Sequence, residues 1–249
     1  MNNFDIGMVF EINNKLRQSE SNNDINLCLS ELTLFLRCEY FLFVIVNPTS
    51  MIKTDLFILD NYPKHWKEYY NNENLIKHDP VLDYCISNYS PIIWSMLKQH
   101  NNIKKEQNVI EQAKSVGLFS GFSFPIHTKN QGFGLISFAN SKHAKSLNTI
   151  CSNAYICVPL IIPELLDSYQ RVNKNIDKVC TYLTQREKEC LAWICEGKTT
   201  WEISKILDRS ERTISFHLTN LQAKLGTNNR CQSVSKSILT GIINPFSSS

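Results

Sequence analysis

The chain has 249 residues, enough for two modest domains that each bury a core without disulfide staples. With 43% hydrophobic and 20% charged residues it has an ordinary soluble globular balance rather than that of a disordered or fibrous chain. The net charge of +3 is unevenly placed: residues 1–179 carry 17 Lys+Arg against 17 Asp+Glu, and residues 180–249 carry 9 against 6, so only the tail has a small excess suited to a polyanion.

The apolar runs at 40–46 and 155–163 are too short to span a bilayer. No basic segment leads into an apolar stretch near Met1, so the reading has no signal peptide, no membrane partner and a cytoplasmic location. Nine cysteines, none in a Cys-x-x-Cys pair, point to reduced structural thiols, with no metal site and no disulfide framework.

Residues 5–19 and 24–37 carry apolar side chains at helical spacing and predict two amphipathic helices. The aromatic and β-branched run at 40–46 predicts a strand ended by Asn47-Pro48, with a partner strand at 54–59. An aromatic segment at 65–70 reads as a short helix, 91–94 as a strand, and 105–115 as a helix closed by Gly117. Residues 121–127 and 132–139 form a hairpin pattern around a turn at Lys129-Asn130-Gln131. The long apolar stretch 146–169 predicts a helix that Pro159 and Pro163 must kink or break. This order gives an α+β domain over 1–172, a mainly antiparallel sheet between helices in an α-β-α sandwich, followed by a polar linker at 173–181.

Residues 182–249 read as an all-α domain of four helices. Thr184 with Glu187 and Thr199 with Glu202 have the spacing of capping boxes, and Ser210 is placed to cap a third helix that stops at Gly226. The stripe Ile214, Leu218, Leu221 and Leu225 turns Arg212, Ser215, Thr219 and Gln222 outward. Short helices with a tight turn before the third define a helix-turn-helix whose outward hydroxyls and amides can read base edges. Arg212, His217, Lys224 and Arg230 are cations placed to reach phosphates. A solvated helical bundle is the plainer alternative on spacing alone.

The front domain lacks the acidic layout of a phosphorylated receiver and the Gly-x-x-x-x-Gly-Lys loop of an ATPase. What it offers is aromatic walls and one carboxylate. Tyr62, Trp66 and Tyr70 recur every four residues, and Asp79-Pro80, Trp94 and Gly121 follow. Such a set suits a small, mostly apolar amide ligand, although an aromatic stripe is also ordinary core. His78 or His127 with a cysteine lacks a positioned base, so no enzyme is expected.

From Leu183-Thr184-Gln185-Arg186-Glu187 through Leu191, Gly197, Glu202-Ile203, Leu207, Ser210, Thr213-Ile214, His217, Asn220 and Lys224-Leu225, the tail resembles the DNA-binding domain of LuxR-type regulators. Trp66, Tyr70, Asp79, Pro80, Trp94 and Gly121 resemble the six marker positions of the autoinducer-binding domain of that family. Cys38-Glu39-Tyr40, Leu59-Asp60-Asn61-Tyr62-Pro63 and Gly121-Phe122-Ser123-Phe124-Pro125-Ile126-His127 extend the likeness towards the family's luminescence-operon activators.

The resemblance implies an N-acyl-homoserine lactone ligand, a short 3-oxo chain, no cofactor, a homodimer on a two-fold symmetric operator in double-stranded DNA, and contact with RNA polymerase. It implies that Trp66 donates to the lactone carbonyl, Tyr70 to the amide carbonyl, and that Asp79 accepts from the amide N–H. Trp94 would pack on the lactone ring, Gly121 would leave room beside it, and Tyr62 and Ser137 would be further polar contacts. Ser215 and Thr219 stand where some relatives carry arginines, which shifts operator reading towards phosphate positioning and DNA shape. A tail of this type on a sensor for another small molecule, or on no sensor, remains the open alternative.

Overall fold

A computed structural model describes residues 6–50, 52–97, 106–128, 132–142, 147–173 and 183–243. The expected turn at Lys129-Asn130-Gln131, the linker beyond Asn173, the expected helix starts at 5, 105 and 146, and the domain ends at 1–5, 182 and 244–249 lie outside the described residues. The chain divides into two compact units: residues 1–46, 56–128 and 133–173, which hold most of the sheet, and residues 47–55, 129–132 and 174–249, which hold the last four helices.

The first unit opens with α1 (Ile6–Gln18) and α2 (Asn22–Phe35), the second started by a Ser21–Asp24 capping box. Then come β1 (Tyr40–Ser50), β2 (Lys53–Asp60), α3 (Lys64–Asn72), α4 (Pro80–Ser87), β3 (Ile92–Ile93), α5 (Glu106–Ser115), β4 (Ser120–His127), β5 (Phe133–Asn140) and α6 (Leu147–Val172). The five strands lie in the order β2-β1-β5-β4-β3, and the β1–β5, β5–β4 and β4–β3 pairs are antiparallel.

Alternation along the strands splits the side chains between two faces. Phe41, Phe43, Phe122, Phe124 and Phe138 are at most 2% exposed and pack with residues of α1, α2 and α6, each burial contributing about 2 kcal/mol. The other face presents Leu42, Val44, Gly121, Ser123, Leu135, Ser137 and Ala139, and is covered by residues of α3, α4 and α5. This is the expected α-β-α sandwich, and the second face carries the candidate site.

Three expectations are corrected. β1 does not end at Asn47-Pro48 but continues to Ser50. Its register with β5 stops at Val46, so the missing N–H of Pro48 breaks no bond on that side. α6 is one continuous helix through Pro159 and Pro163. Each proline removes a helix bond, but Ala154, Cys157, Val158, Ile161 and Leu165 are fully buried along its length, and their packing holds the helix together. The same helix, from Ile150 to Val172, is long and apolar enough to cross a membrane, contrary to the reading of short apolar runs. Here its buried stripe belongs to the sheet core, and Arg17–Glu164 (2.7 Å) and Arg171 on the Leu16 carbonyl (2.7 Å) tie it to α1.

The second unit contains α7 (Gln185–Cys195), α8 (Thr200–Ile206), α9 (Glu211–Leu225) and α10 (Arg230–Leu239). Both capping boxes form as the spacing requires, Ser210 caps α9 through the Thr213 N–H, and Gly226 closes it at φ 61°. Asn229 caps α10 through the Gln232 N–H. Cys190, Leu191, Ile203, Ile214, Leu218, Leu221 and Leu225 make its core.

Candidate ligand-binding site and nucleic-acid interface

Trp66 and Tyr70 stand one turn apart on α3, their rings 5.7 Å apart at 61°. Tyr62 precedes the helix, so the three aromatics are not one helical stripe, yet Tyr62 is buried in the same cluster. That cluster also takes in Leu75, Ala113, Leu118, Ala139 and Trp94. A second apolar cluster, with Val44, Cys85 and Leu135 buried, covers the neighbouring part of this sheet face, and Leu42 touches both.

Asp79 is where the two clusters meet in sequence. It is the N-cap of α4, with Oδ1 accepting from the Val81 N–H (2.9 Å) and the Leu82 N–H (3.4 Å). Its other oxygen accepts from the Tyr70 hydroxyl (2.8 Å). Pro80 at the first helical position presets the backbone there and has no N–H to compete. The residue as a whole is half-buried, but the carboxyl is its enclosed end. Burial pushes this carboxyl above the usual carboxylate range, and the Tyr70 hydroxyl and the Val81 and Leu82 N–H groups pull part of the way back. The Tyr62 and Tyr70 phenols are pushed up, first by burial and then by the charge of Asp79.

Three expectations change on this geometry. Asp79 does not wait for a guest N–H: three donors already reach it, so of the roughly four acceptor positions of a carboxylate about one remains free. The single proton of Tyr70 is committed to Asp79, so Tyr70 braces the carboxylate, and donation to an amide carbonyl requires that bond to be exchanged. Gly121 makes room for Trp94 itself: a Cβ there would meet the indole and the Phe138 carbonyl oxygen, each at 2.8 Å.

The donors of the cluster are of two kinds. The Trp94 indole N–H donates to Ser123 Oγ (2.9 Å), and Ser123 Oγ lies 2.6 Å from Ser137 Oγ. By contrast, among the described residues neither the Trp66 indole N–H nor the Tyr62 hydroxyl has a hydrogen-bond partner. Ser123 is the site residue that sequence reasoning missed. Its signal was a hydroxyl on the same strand face as Gly121, two residues further on.

On the second unit, Arg212, Ser215 and Thr219 are exposed along α9, and Thr213, His217, Asn220 and Gln222 are half-buried. Thr213 Oγ1 lies 2.9 Å from the capping Ser210 Oγ, and Thr219 Oγ1 donates back to the Ser215 carbonyl (2.9 Å). Arg230, exposed at the start of α10, donates to Thr200 Oγ1. Lys224 departs from the expected phosphate contact: its Nζ lies 2.7 Å from Oε2 of Glu187, a carboxylate that also accepts the Thr184 N–H at 2.7 Å. Burial alone would raise the Glu187 carboxyl, but Lys224 and Thr184 outweigh it and hold it below the usual range. Two large apolar side chains, Trp201 (57%) and Phe216 (62%), are also exposed on this unit.

All eight described cysteines are free, and no group of metal-ligating side chains is gathered among the described residues.

The autoinducer binding domain family matches residues 21–154, and the luxR family of bacterial regulatory proteins matches residues 181–237. The chain belongs to the LuxR-type regulators: it is an autoinducer-binding transcriptional activator with a helix-turn-helix DNA-binding domain. It is 53% identical to the transcriptional activator protein LuxR of Aliivibrio fischeri over 98% of this chain and 97% of that protein. It is 36% identical to the transcriptional activator protein VanR of Vibrio anguillarum over 92% of this chain and 95% of that one. Among solved structures, Escherichia coli SdiA shares the fold with a TM-score of 0.77 at 24% identity, covering 96% of this chain and 99% of its own. SdiA in complex with octanoyl-rac-glycerol aligns with a TM-score of 0.78 at 25% identity, covering 97% and 98% of the two chains.

Proposed function

We propose that the front domain binds an N-acyl-homoserine lactone with a short 3-oxo chain, and that the liganded protein grips a two-fold symmetric operator as a homodimer. One observation carries the ligand reading: a mostly engaged carboxylate with about one acceptor position left, Asp79, sits with two aromatic donors that have no partner among the described residues, Trp66 and Tyr62. An acyl lactone supplies the complement. Its amide N–H suits Asp79, its lactone and amide carbonyls suit Trp66 and Tyr62, and its chain suits the apolar walls.

The ligand completes the core and stabilises the folded state by mass action. The domain reading is 1–172 for ligand and dimer contacts, 173–181 as linker and 182–249 for DNA, supported by the end of α6 at Val172 and the Thr184 cap of α7. Two α9 helices would enter successive major grooves about one helical turn or a multiple apart. Arg212, His217 and Arg230 would hold phosphates while Ser215, Thr219, Asn220 and Gln222 face bases, with Thr213 at the capped start. The identity with the Aliivibrio fischeri activator supports a luminescence operon as target and RNA polymerase as partner, with Trp201 and α10 offering exposed surface. The protein acts in the cytoplasm, without a cofactor and without catalysis.

The similarity to the SdiA complex supports a second reading, in which another acylated polar molecule fills the site. The test is to measure soluble yield, thermal stability and operator binding of the full chain with 3-oxo-acyl lactones and with acylglycerols. Indifference of all three to every lactone overturns the first reading, and a response confined to acylglycerols establishes the second.

A further inference from the structure

Along α10, Arg230, Val234 and Ile238 recur every four positions and so share one face of the helix. That face lines a groove of about 600 Å³ in the second unit, together with Ile194 of α7 and with Lys198 and Thr199 just before α8. Its volume is that of a small-molecule site. Ile194 and Val234 belong to the core cluster of this unit, so the floor of the groove is apolar and already packed from beneath. Ile238 remains 40% exposed beside it.

The groove is polar at one end only. Arg230 donates to Thr200 Oγ1, two residues beyond Lys198, so both cations stand where the starts of α8 and α10 meet. Ile238 lies about 12 Å further along α10, at 1.5 Å per residue. Neither cation has a close carboxylate partner. Among the described residues Arg230 forms no ion pair, and Lys198 Nζ lies 3.8 Å from Glu202 Oε1. The other oxygen of Glu202 accepts from the Thr199 N–H (2.8 Å) and hydroxyl (2.9 Å). No Asp or Glu is among the described residues that line the groove.

We propose that this groove is a second ligand site, which takes an amphipathic carboxylate. The aliphatic chain lies along Val234 and Ile238 against Ile194, and the carboxylate meets Arg230 and Lys198 in charge-assisted bonds. A neutral amphiphile leaves the cations unmet, and a small anion leaves the apolar floor uncovered. Arg230 is also the guanidinium offered to a DNA phosphate, so an occupied groove competes with the operator. That consequence rests on the phosphate reading of Arg230, whereas the site itself does not.

The test uses the full chain saturated with 3-oxo-hexanoyl-homoserine lactone, so that the front domain is filled, and titrates monomeric decanoate or decanol by calorimetry. Decanoate is expected to bind about tenfold more tightly than decanol, the worth of one charge-assisted hydrogen bond. Arg230→Gln brings the two affinities together, and Ser235→Trp, which fills the groove, abolishes both. Thermal unfolding checks that both variants fold. Absence of saturable decanoate binding, or binding undiminished by Ser235→Trp, overturns the proposal. So does a groove filled by a second copy of the chain, seen as weaker self-association of Ser235→Trp without any decanoate binding. If Ser235→Trp fails to fold, the decanoate-to-decanol ratio in wild type and Arg230→Gln decides it. Decanoate that binds as expected yet leaves operator affinity unaltered overturns the phosphate reading of Arg230 and supports the site.

Discussion

The Tyr70 hydroxyl donates to one oxygen of Asp79 at 2.8 Å while the other oxygen of that carboxylate caps α4. One side chain thus joins the start of a helix to an aromatic cluster, and its two tasks can be separated. Asn caps a helix about as well as Asp but carries no charge, so Asp79→Asn should fold and lose the charge-assisted bond to a ligand N–H, about 1.5–3 kcal/mol. We expect lactone affinity to fall roughly ten- to a hundredfold by fluorescence titration, with a small change in Tm. Asp79→Ala should add the lost cap, about 1 kcal/mol, in thermal or urea unfolding. Full lactone affinity in Asp79→Asn would remove Asp79 from the ligand site.

The two buried carboxylates should give opposite pH signatures. Burial raises the folded pKa of Asp79 above its ordinary 3.8, so its ionisation costs stability progressively as pH rises from 3.8 through the folded value. Glu187 is held below its ordinary 4.5, so its contribution is present above 4.5 and is lost as pH falls through the folded value. Urea unfolding of the ligand-free chain across this range, in wild type, Asp79→Asn and Glu187→Gln, resolves the two. Identical pH profiles in all three would refute both assignments.

Lys224 and Arg212 are predicted to differ in kind. Lys224→Ala leaves the 2% exposed Glu187 without its cation and should destabilise the second unit by about 2 kcal/mol. Arg212 is exposed in the first turn of α9, so Arg212→Ala should leave stability nearly unaltered and reduce the salt slope of operator binding by about one. Paired unfolding curves and salt titrations check this. A reduced salt slope without loss of stability in Lys224→Ala would return that residue to the phosphate contacts.

Two glycines on this sheet should respond differently to a methyl group. At Gly134 a Cβ would sit 2.1 Å from the Val44 carbonyl oxygen, so Gly134→Ala must part β1 from β5 and should cost about 3 kcal/mol. At Gly121 the obstacle includes the Trp94 indole, a side chain that can move. Gly121→Ala should cost less stability but release the Trp94–Ser123 bond, visible as altered indole emission and weaker lactone binding. Equal losses of Tm in the two variants would contradict this.

The second unit was legible almost to the residue because its signals are local. A capping threonine and its glutamate are three residues apart, and a buried stripe repeats every three or four, so each helix announces itself within one turn or two. The same local logic misjudged α6. A proline's cost is a property of the helix, but the burial of Cys157, Val158 and Ile161 that outweighs it is a property of the sheet beneath.

In the front unit the sequence by itself determined which chemistry is present: indoles, phenols, one carboxylate and a glycine in an α+β sandwich. Tertiary structure decided which of those groups are already engaged. Lys224 finds Glu187 across 37 residues, and Ser123 meets Ser137 through the register of β4 on β5, 14 residues apart. No periodicity encodes such pairings, because hydrogen-bond partners are chosen by distance in space after the chain has folded, and it is the groups left over from that choice that face a ligand.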